Sequence, residues 1–332
     1  MAVLNQQFTE FNKKIKLTSA RKDDLMSSRD SLKKKIKEWF KENKKNELQP
    51  KFWGQGSSEM NTTINPIPQY EGEEKKLKYD LDYGIYFIEN ENEDNIQNID
   101  TWHNWVCEAV KDHTSIPPVR KTTCVRVVFS NGRHIDLPIY YKDGDKIELA
   151  HRSKGWTESD PKAFFEWFNN LKNKQLERIV RYLKAWKNYR ENCNTNLKLP
   201  SGFELTILAS NNYVECDNDD EAFRETVSKI NEELNKVNGF KCERPTAPIE
   251  DIFADYSQTR RENFLDNLNK LVNACEKADE ESNRKKASEI MRKEFGDRFP
   301  TAPDIDDKQK SDELSKKLIS TPFKPKPFAK NG

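Results

Sequence analysis

The sequence predicts an α+β protein with two lobes, in which a mixed α and β part precedes a helical part. A chain of 332 residues is too long for one compact core of ordinary size. Runs rich in β-formers, such as KYDLDYGIYF at 78–87, lie in the first half, whereas the pattern beyond about residue 155 is helical. We expect a core unit over 1–155, a helical lobe over 156–318 and a flexible tail over 319–332, with a cleft between the lobes.

Composition and charge exclude several classes of protein. The chain carries 57 Lys and Arg against 56 Asp and Glu, a net charge of +1 that argues against a globally electrostatic nucleic-acid binder. No apolar run is long enough to span a bilayer, and the first residues, MAVLNQQFTEFNKKIK, lack the apolar core of a secretory signal. The six cysteines are scattered without a C-x-x-C pair, which disfavours a zinc site or a disulfide framework. We therefore expect a cytoplasmic protein with no membrane partner.

The N-terminal segment is predicted to be a scaffold helix. Apolar residues recur near helical spacing over 1–48, between lysines and acids, and the pattern is interrupted once near 18–24. A glycine-containing segment, FWGQGSSEMNTTINP at 52–66, follows this helix and precedes the β-rich run at 78–87.

A second helix and a hairpin are expected next. The segment DTWHNWVCEAVKD at 100–112 predicts a helix after an acidic, asparagine-rich loop over 91–100. Asn131 and Gly132 lie between two β-rich runs, which predicts a two-residue hairpin turn.

The second half of the chain is expected to be helical. The segment QLERIVRYLKAWKNYR at 175–190 places its apolar residues on one face. The segment LPSGFELTILA at 199–209 opens another helix with Ser201 in a capping position, and further helices are expected around 221–237 and 258–294. The apolar face of 175–190 comprises Leu176, Ile179, Val180, Leu183 and Trp186.

Three aspartates lie inside apolar strand segments. Asp80 and Asp82 are one residue apart, and Asp136 lies in HIDLPIYY on the second strand of the predicted hairpin. Side chains at i and i+2 of a strand share a face, so two carboxylates there repel each other unless a cation lies between them. If the two strands are neighbours, the three acids can hold two Mg²⁺ ions, one for an attacking hydroxyl and one for a triphosphate. The alternative is that the acids simply face water on an edge strand.

A glycine and a serine precede these acids in the chain. Gly56 and Ser57, in GQGSS, read as a turn between a strand and a helix, where backbone can approach phosphate oxygens and offer amide and hydroxyl donors. On its own, a Gly-Ser pair is also an ordinary turn. The order is more informative, because Gly-Ser comes first, D-x-D second and a single aspartate in an apolar strand third.

This order resembles the nucleotidyltransferase signature of the DNA polymerase β superfamily. The segments GQGSSEMNTTINP and YDLDYGIYF, then HIDLPIYY, RYLKAWK and LPSGFELTILA, are similar to those of the bacterial cGAS/DncV-like nucleotidyltransferases (CD-NTases), relatives of cyclic GMP-AMP synthase and oligoadenylate synthase. The resemblance covers 50–210 by motif and the remainder by architecture. It implies a polymerase β-like lobe with a mixed sheet, a C-terminal helical lobe and an active site between them. One departure, the long spacing from Ser57 to Asp80, predicts a polar surface insertion around YEGEEKK.

The resemblance also implies roles for the residues of the first lobe. Asp80 and Asp82 would ligate both metals, and Asp136 would ligate the catalytic metal and help to deprotonate the attacking 3′ or 2′ hydroxyl. Gly56 and Ser57 would hold the donor triphosphate. The implied cofactor is a pair of Mg²⁺ ions, with Mn²⁺ as a substitute.

Residues of the helical lobe are implied to bind the nucleotide from the opposite side. Lys184 and Ser201 would reach the phosphates, and Phe203 would stack on a base. The alternatives are a solvated surface charge for Lys184 and a core position for Phe203. His134 shares a strand face with Asp136, and an ordinary strand histidine is favoured over a role at the site.

The implied activity is that of a cyclic oligonucleotide synthase. It would join nucleoside triphosphates, ATP and/or GTP, into a cyclic di- or trinucleotide second messenger that reaches an effector in CBASS antiphage defence. One alternative is a nucleotidyltransferase with linear products, of the oligoadenylate synthase or poly(A)/tRNA type, and another is a catalytically silent nucleotide-sensing module. The small net charge disfavours a tRNA or poly(A) enzyme, and the presence of all three acids disfavours silence.

Two further partners are implied. In some systems of this kind a ubiquitin E1/E2-like enzyme conjugates the synthase through its C-terminal residue, which here is Gly332. Nucleic acid is not required for catalysis in this interpretation, but it is one candidate activator.

Overall fold

A mixed sheet of seven strands forms the first lobe of the computed structural model, which describes residues 3–71, 74–89 and 96–306. Parallel strands β4 and β7 lie at its centre, β1 pairs with the outer edge of β4, and β6 and β8 pair with successive halves of β7. Strands β2 and β3 form a separate pair, and the other seven form the sheet. The strands are β1 (Lys51–Gln55), β2 (Gln69–Glu71), β3 (Glu74–Lys76), β4 (Asp80–Ile88), β5 (Val119–Arg120), β6 (Cys124–Val128), β7 (His134–Asp143), β8 (Lys146–His151) and β9 (Gly155–Glu158).

Helices cover one part of this sheet and build the second lobe. The predicted α+β class, a mixed sheet followed by a helical lobe, is confirmed. Within the described ranges, no helix combines the length and apolar character that a bilayer crossing requires. The helices are α1 (Asn5–Ile15), α2 (Ser19–Asn43), α3 (Gly56–Glu59), α4 (Ile99–Val110), α5 (Pro161–Leu171), α6 (Lys174–Cys193), α7 (Gly202–Asn212), α8 (Asp219–Asn235), α9 (Gln258–Glu280) and α10 (Arg284–Phe295).

The N-terminal helical segment is divided between the two cores. The break lies at 16–18, slightly before the predicted one, and Thr18 caps α2 by accepting a hydrogen bond from the backbone N–H of Arg21. Phe8 and Phe11 of α1 pack into the helical core, whereas the buried face of α2 packs on the sheet. Helix α1 therefore belongs to the helical core, although the predicted first unit, 1–155, includes it.

The hairpin between β6 and β7 has a longer turn than predicted. The backbone N–H of Phe129 donates to the carbonyl of Arg133 at 3.0 Å, which leaves a turn of three residues, 130–132. Gly132 takes a positive φ of 93°, as three-residue turns commonly require at their last position. The prediction of a two-residue turn is wrong, because the paired residues extend only to Phe129 and Arg133.

Helix α6 is the central element of the helical lobe. All five residues of its predicted apolar face are buried, and so are Arg181 and Lys184 on other faces of the same helix. Helices α1, α7, α8 and α10 pack around it. Because neighbours cover several sides of α6, its polar residues face other parts of the protein rather than water.

The predicted insertion around YEGEEKK corresponds to an antiparallel pair of short strands, β2 and β3, separate from the main sheet. Several predicted segments lie outside the described residues. They are 91–95 of the acidic loop predicted over 91–100, the end of the predicted helical lobe, and the tail over 319–332 with Gly332.

Candidate active site

The strands that carry the three aspartates are neighbours, and their acids lie at the same end of the sheet. In the parallel register of β4 and β7, Asp82 is opposite Asp136 and Asp80 is opposite His134. One ligand atom from each of Asp80, His134 and Asp136 lies within 4.8 Å of the others. The histidine that was interpreted as an ordinary strand residue therefore borders the acids.

Charge is crowded around Asp82. Burial, together with the nearby carboxylates of Asp80 and Asp136, raises the pKa of its carboxyl to about 8, although Arg126 and Lys184 oppose the shift. A carboxylate trio with this repulsion is suited to divalent cations, and its oxygen donors are those that Mg²⁺ and Mn²⁺ prefer. The residues present thus fit a metal centre.

Arg126 lies within this cluster and was missed by the sequence interpretation. It is opposite Asp136 in the register of β6 and β7, and its Nε and Nη2 donate to Oδ1 and Oδ2 of Asp136, both at 2.7 Å. The sequence signal was a single arginine in the apolar run TCVRVVF. Its importance follows only from the strand register.

Gly56 brings the backbone against the acids. It follows β1 and begins α3 with a φ of +71°, a conformation that glycine adopts without strain. A Cβ at this position would lie 2.3 Å from Oδ2 of Asp82, so only glycine leaves room for that carboxylate. Ser57 is next, and its hydroxyl lies 2.9 Å from that of Thr63.

A cleft of about 440 Å³ opens beside the acids and reaches from α3 and β4 to α6 and α7. Most of the residues predicted to hold nucleotide or metal line it, whereas Asp136 and Ser201 are not among its lining residues. The cleft also includes Lys187, which pairs with Glu191 and was not predicted. The predicted residues that line the cleft are Gly56, Ser57, Asp80, Asp82, Lys184 and Phe203.

Lys184 reaches this cleft from the helical lobe. It is 8% exposed, so it is not the solvated surface charge that the sequence left open. Its ammonium donates to Oγ1 of Thr62 at 2.9 Å. Burial lowers its pKa to about 8, although the carboxylates of Asp80 and Asp82 favour the charged form. A cation is therefore held beside the acids by the opposite lobe.

Ser201 and Phe203 occupy the start of α7. Ser201 is the predicted cap, since its hydroxyl accepts from the N–H of Glu204 at 3.3 Å in a capping box. Phe203 is half-buried, and its ring lies 4.5 Å from that of Phe164. It lines both the main cleft and a second cavity of about 250 Å³. Phe203 thus packs against the core and borders the cleft at once.

Comparison with known proteins gives these residues a family. The family described as "Cyclic GMP-AMP synthase DncV-like, nucleotidyltransferase domain" matches residues 50–140, which include the Gly-Ser pair and all three aspartates. A cyclic GMP-AMP synthase of Escherichia albertii is 32% identical over 229 residues, 66% of this chain and 47% of that protein. One from Escherichia coli strain TW11681 is 27% identical over 193 residues, 42% of this chain and 43% of that protein. The chain thus spans about half the length of the curated relatives it matches.

The fold is similar to that of solved structures of Vibrio cholerae DncV. The crystal structure of the DncV cyclic AMP-GMP synthase, described as a prokaryotic cGAS homolog, superposes with a TM-score of 0.75 at 19% identity, covering 90% of this chain and 97% of that chain. DncV in complex with the linear intermediate 5′ pppA(3′,5′)pG gives a TM-score of 0.72 at 19% identity, with coverages of 90% and 96%. The chain thus carries, at residues 50–140, a segment that matches the DncV-like nucleotidyltransferase domain.

Proposed function

We propose that this protein is a cyclic oligonucleotide synthase, which joins nucleoside triphosphates into a cyclic di- or trinucleotide and releases pyrophosphate at each bond. The observation that carries the proposal is the position of Asp80 and Asp82 in a cleft that Lys184 also lines from the opposite lobe, with Asp136 opposite Asp82 on the neighbouring strand. The similarity to two cyclic GMP-AMP synthases supports it. The DncV complex with a linear intermediate adds support for a reaction in successive steps on one site.

The acids and two of the cleft residues have separate parts in the proposed reaction. Asp80, Asp82 and Asp136 would hold two Mg²⁺ ions, or Mn²⁺ in their place. Divalent ions in such a site neutralise the triphosphate and acidify the attacking hydroxyl. Lys184 and the Ser57 hydroxyl would orient the phosphates.

The bond changes define what this chain must position. The hydroxyl oxygen of one nucleotide bonds to the α-phosphorus of another, and the bond to the β-phosphate oxygen breaks with pyrophosphate as the leaving group. The hydroxyl proton passes to a carboxylate, for which Asp136 is our candidate. A second bond of the same kind closes the ring after the linear intermediate has turned in the cleft.

Product analysis tests this proposal. The protein is incubated with the four labelled ribonucleoside triphosphates and Mg²⁺, and the products are treated with phosphatase. Small products that keep their label in a phosphatase-resistant form support cyclisation, and mass spectrometry then gives the bases and the ring size. Products with a phosphatase-sensitive 5′ end would replace the proposal with the linear-product alternative. Lack of any product, with RNA or DNA added as candidate activators, would favour the silent nucleotide-sensing module.

The wider biology remains part of the proposal. We expect ATP and/or GTP as substrates, a cytoplasmic location, and an effector of CBASS antiphage defence that responds to the cyclic product. Conjugation of Gly332 by an E1/E2-like enzyme is a further expectation. Deletion of that residue should prevent conjugation and leave the purified synthase active.

Lys184→Met should weaken nucleotide binding more than the chemical step. The substitution keeps most of the apolar stem in its buried position and removes the ammonium beside Thr62, Asp80 and Asp82. A charge-assisted hydrogen bond of about 1.5–3 kcal/mol corresponds to an increase of about 10–100-fold in KM for the triphosphates. Steady-state kinetics measure this value, with Lys162→Met as the control because Lys162 is exposed and lies outside the cleft. An unchanged KM would show that Lys184 does not bind phosphate.

A further inference from the structure

Arg126 occupies both oxygens of one carboxylate of the candidate metal centre. Its Nε and Nη2 lie 2.7 Å from Oδ1 and Oδ2 of Asp136, which is the planar fork geometry of a strong arginine–carboxylate pair. The Asp136 side chain is only 11% exposed, so water screens the pair weakly. The hydrogen bonds that Arg126 donates to Asp136 also raise the pKa of its guanidinium.

This pairing limits how Asp136 can ligate a cation. A carboxylate has about four lone-pair sites on its two oxygens, and a side-on guanidinium takes one site on each oxygen. A metal ion cannot chelate the same pair of sites while the guanidinium holds them. One oxygen still faces Asp80 and His134, whose ligand atoms lie within 4.8 Å of it. Asp136 can therefore serve as a monodentate ligand without release from Arg126.

The same pairing places a fixed positive charge next to the centre. Lys184 brings a second cation, so the three carboxylates face two cations before any metal arrives. Like charges a few ångströms apart repel each other in a partly buried site, so each cation opposes the binding of a divalent ion. A nucleoside triphosphate brings negative charge that would offset both cations.

We propose that Arg126 is a positioning residue of the metal centre, which holds Asp136 as a monodentate ligand and keeps the metal affinity of the nucleotide-free protein low. Divalent ions would then be held firmly only together with a triphosphate. The inference rests on the proposed function in that it takes the carboxylate trio as a metal centre. The proposed role of Arg126 differs from that of a group that merely orients a metal ligand. Loss of such a group weakens metal binding by about 10–100-fold, whereas loss of Arg126 should strengthen it.

Metal binding to the nucleotide-free protein tests this inference without any measurement of activity. Mn²⁺ is titrated into the wild type and Arg126→Gln at the same pH and ionic strength, and free Mn²⁺ is followed by electron paramagnetic resonance. We expect Arg126→Gln to bind Mn²⁺ about fivefold to tenfold more tightly, because a nearby positive charge has been removed. With a nonhydrolysable ATP analogue present, the difference should shrink. Arg126→Lys, which keeps the charge, should bind Mn²⁺ nearly as weakly as the wild type.

The controls separate this effect from misfolding and from failure of the proposed function. Arg152→Gln removes a guanidinium from an exposed pair with Asp100 and should leave the affinity for Mn²⁺ unchanged. Thermal unfolding in EDTA shows whether each variant is folded, and Arg126→Met replaces Arg126→Gln if that variant is not. Unchanged or weaker Mn²⁺ binding by a folded, uncharged variant overturns the inference. Tighter binding by a variant of a protein that makes no cyclic product would support the inference and reject the function.

Discussion

Asp82→Asn should lower nucleotidyl transfer by about 10³-fold or more. Such a loss corresponds to about 4 kcal/mol of transition-state stabilisation, which is within the several kcal/mol that bound metal ions supply. An amide is nearly isosteric with the carboxylate but is a neutral and much weaker ligand for Mg²⁺. Asp82 is opposite Asp136 in the central strand pair and lines the cleft, so its loss affects the centre of the candidate site. The activity measurement is pyrophosphate release with saturating triphosphates and Mg²⁺.

The same substitution should stabilise the protein when no divalent cation is present. Burial and the carboxylates of Asp80 and Asp136 raise the pKa of Asp82 to about 8 in the folded protein, from its ordinary value of 3.8. Ionised Asp82 is therefore unfavourable in the fold. Its cost is absent below the unfolded pKa, grows as the pH rises from there to about 8, and is constant above that value.

Thermal unfolding in EDTA checks this second outcome. Asp82→Asn should unfold at a higher temperature than the wild type at pH 8. This difference in unfolding temperature should decrease towards zero near pH 4. Because about 1 kcal/mol shifts the unfolding temperature of a protein of this size by roughly 1–2 °C, a rise of at least that amount is expected at pH 8. Asp143→Asn, an exposed acid at the far end of β7, serves as the control and should change neither activity nor stability. An active Asp82→Asn variant would remove the basis for the metal centre.

Periodicity predicted the α+β class, whereas the polymerase β-like arrangement was implied by the resemblance to a family. Alternation identified the strands that carry Asp80, Asp82 and Asp136, and helical spacing identified α6 and its apolar face. The capping position of Ser201 followed from residue type, because a serine before an apolar helical run is a strong local signal. These features depend on contacts between residues that are close in sequence or that share one face of one element.

Features that depend on contacts between distant elements could not be predicted in the same way. A lone arginine in an apolar strand is usually an exposed one, and only the register of β6 against β7 places Arg126 on Asp136. The pattern of α1 shows which face is apolar but not which core covers that face. Likewise, the periodicity of α6 indicates one buried side, whereas Lys184 is buried by a second set of neighbours.

Gly56→Ala should lower activity by about 100-fold, the size of loss that a misplacement of about 1 Å produces in an active site. The backbone at Gly56 has a φ of +71°, which is unfavourable for alanine, and the added Cβ would lie 2.3 Å from Oδ2 of Asp82. A contact that short forces either the carboxylate or the start of α3 to move. Since Ser57 follows directly, the predicted triphosphate contact and the metal ligand would be displaced together.

Gly144→Ala separates the two causes of this expected loss. Gly144 also has a positive φ, +54°, but a Cβ there would meet no atom within 4 Å, so the substitution introduces backbone strain without crowding. Both variants should lose a similar amount of stability, about 1 kcal/mol, from the unfavourable φ. Only Gly56→Ala should lose activity, because only its Cβ meets an acid of the centre. Equal activity of the two variants would mean that Gly56 is needed only for the positive φ of the turn, and that the cleft tolerates a methyl group against Asp82.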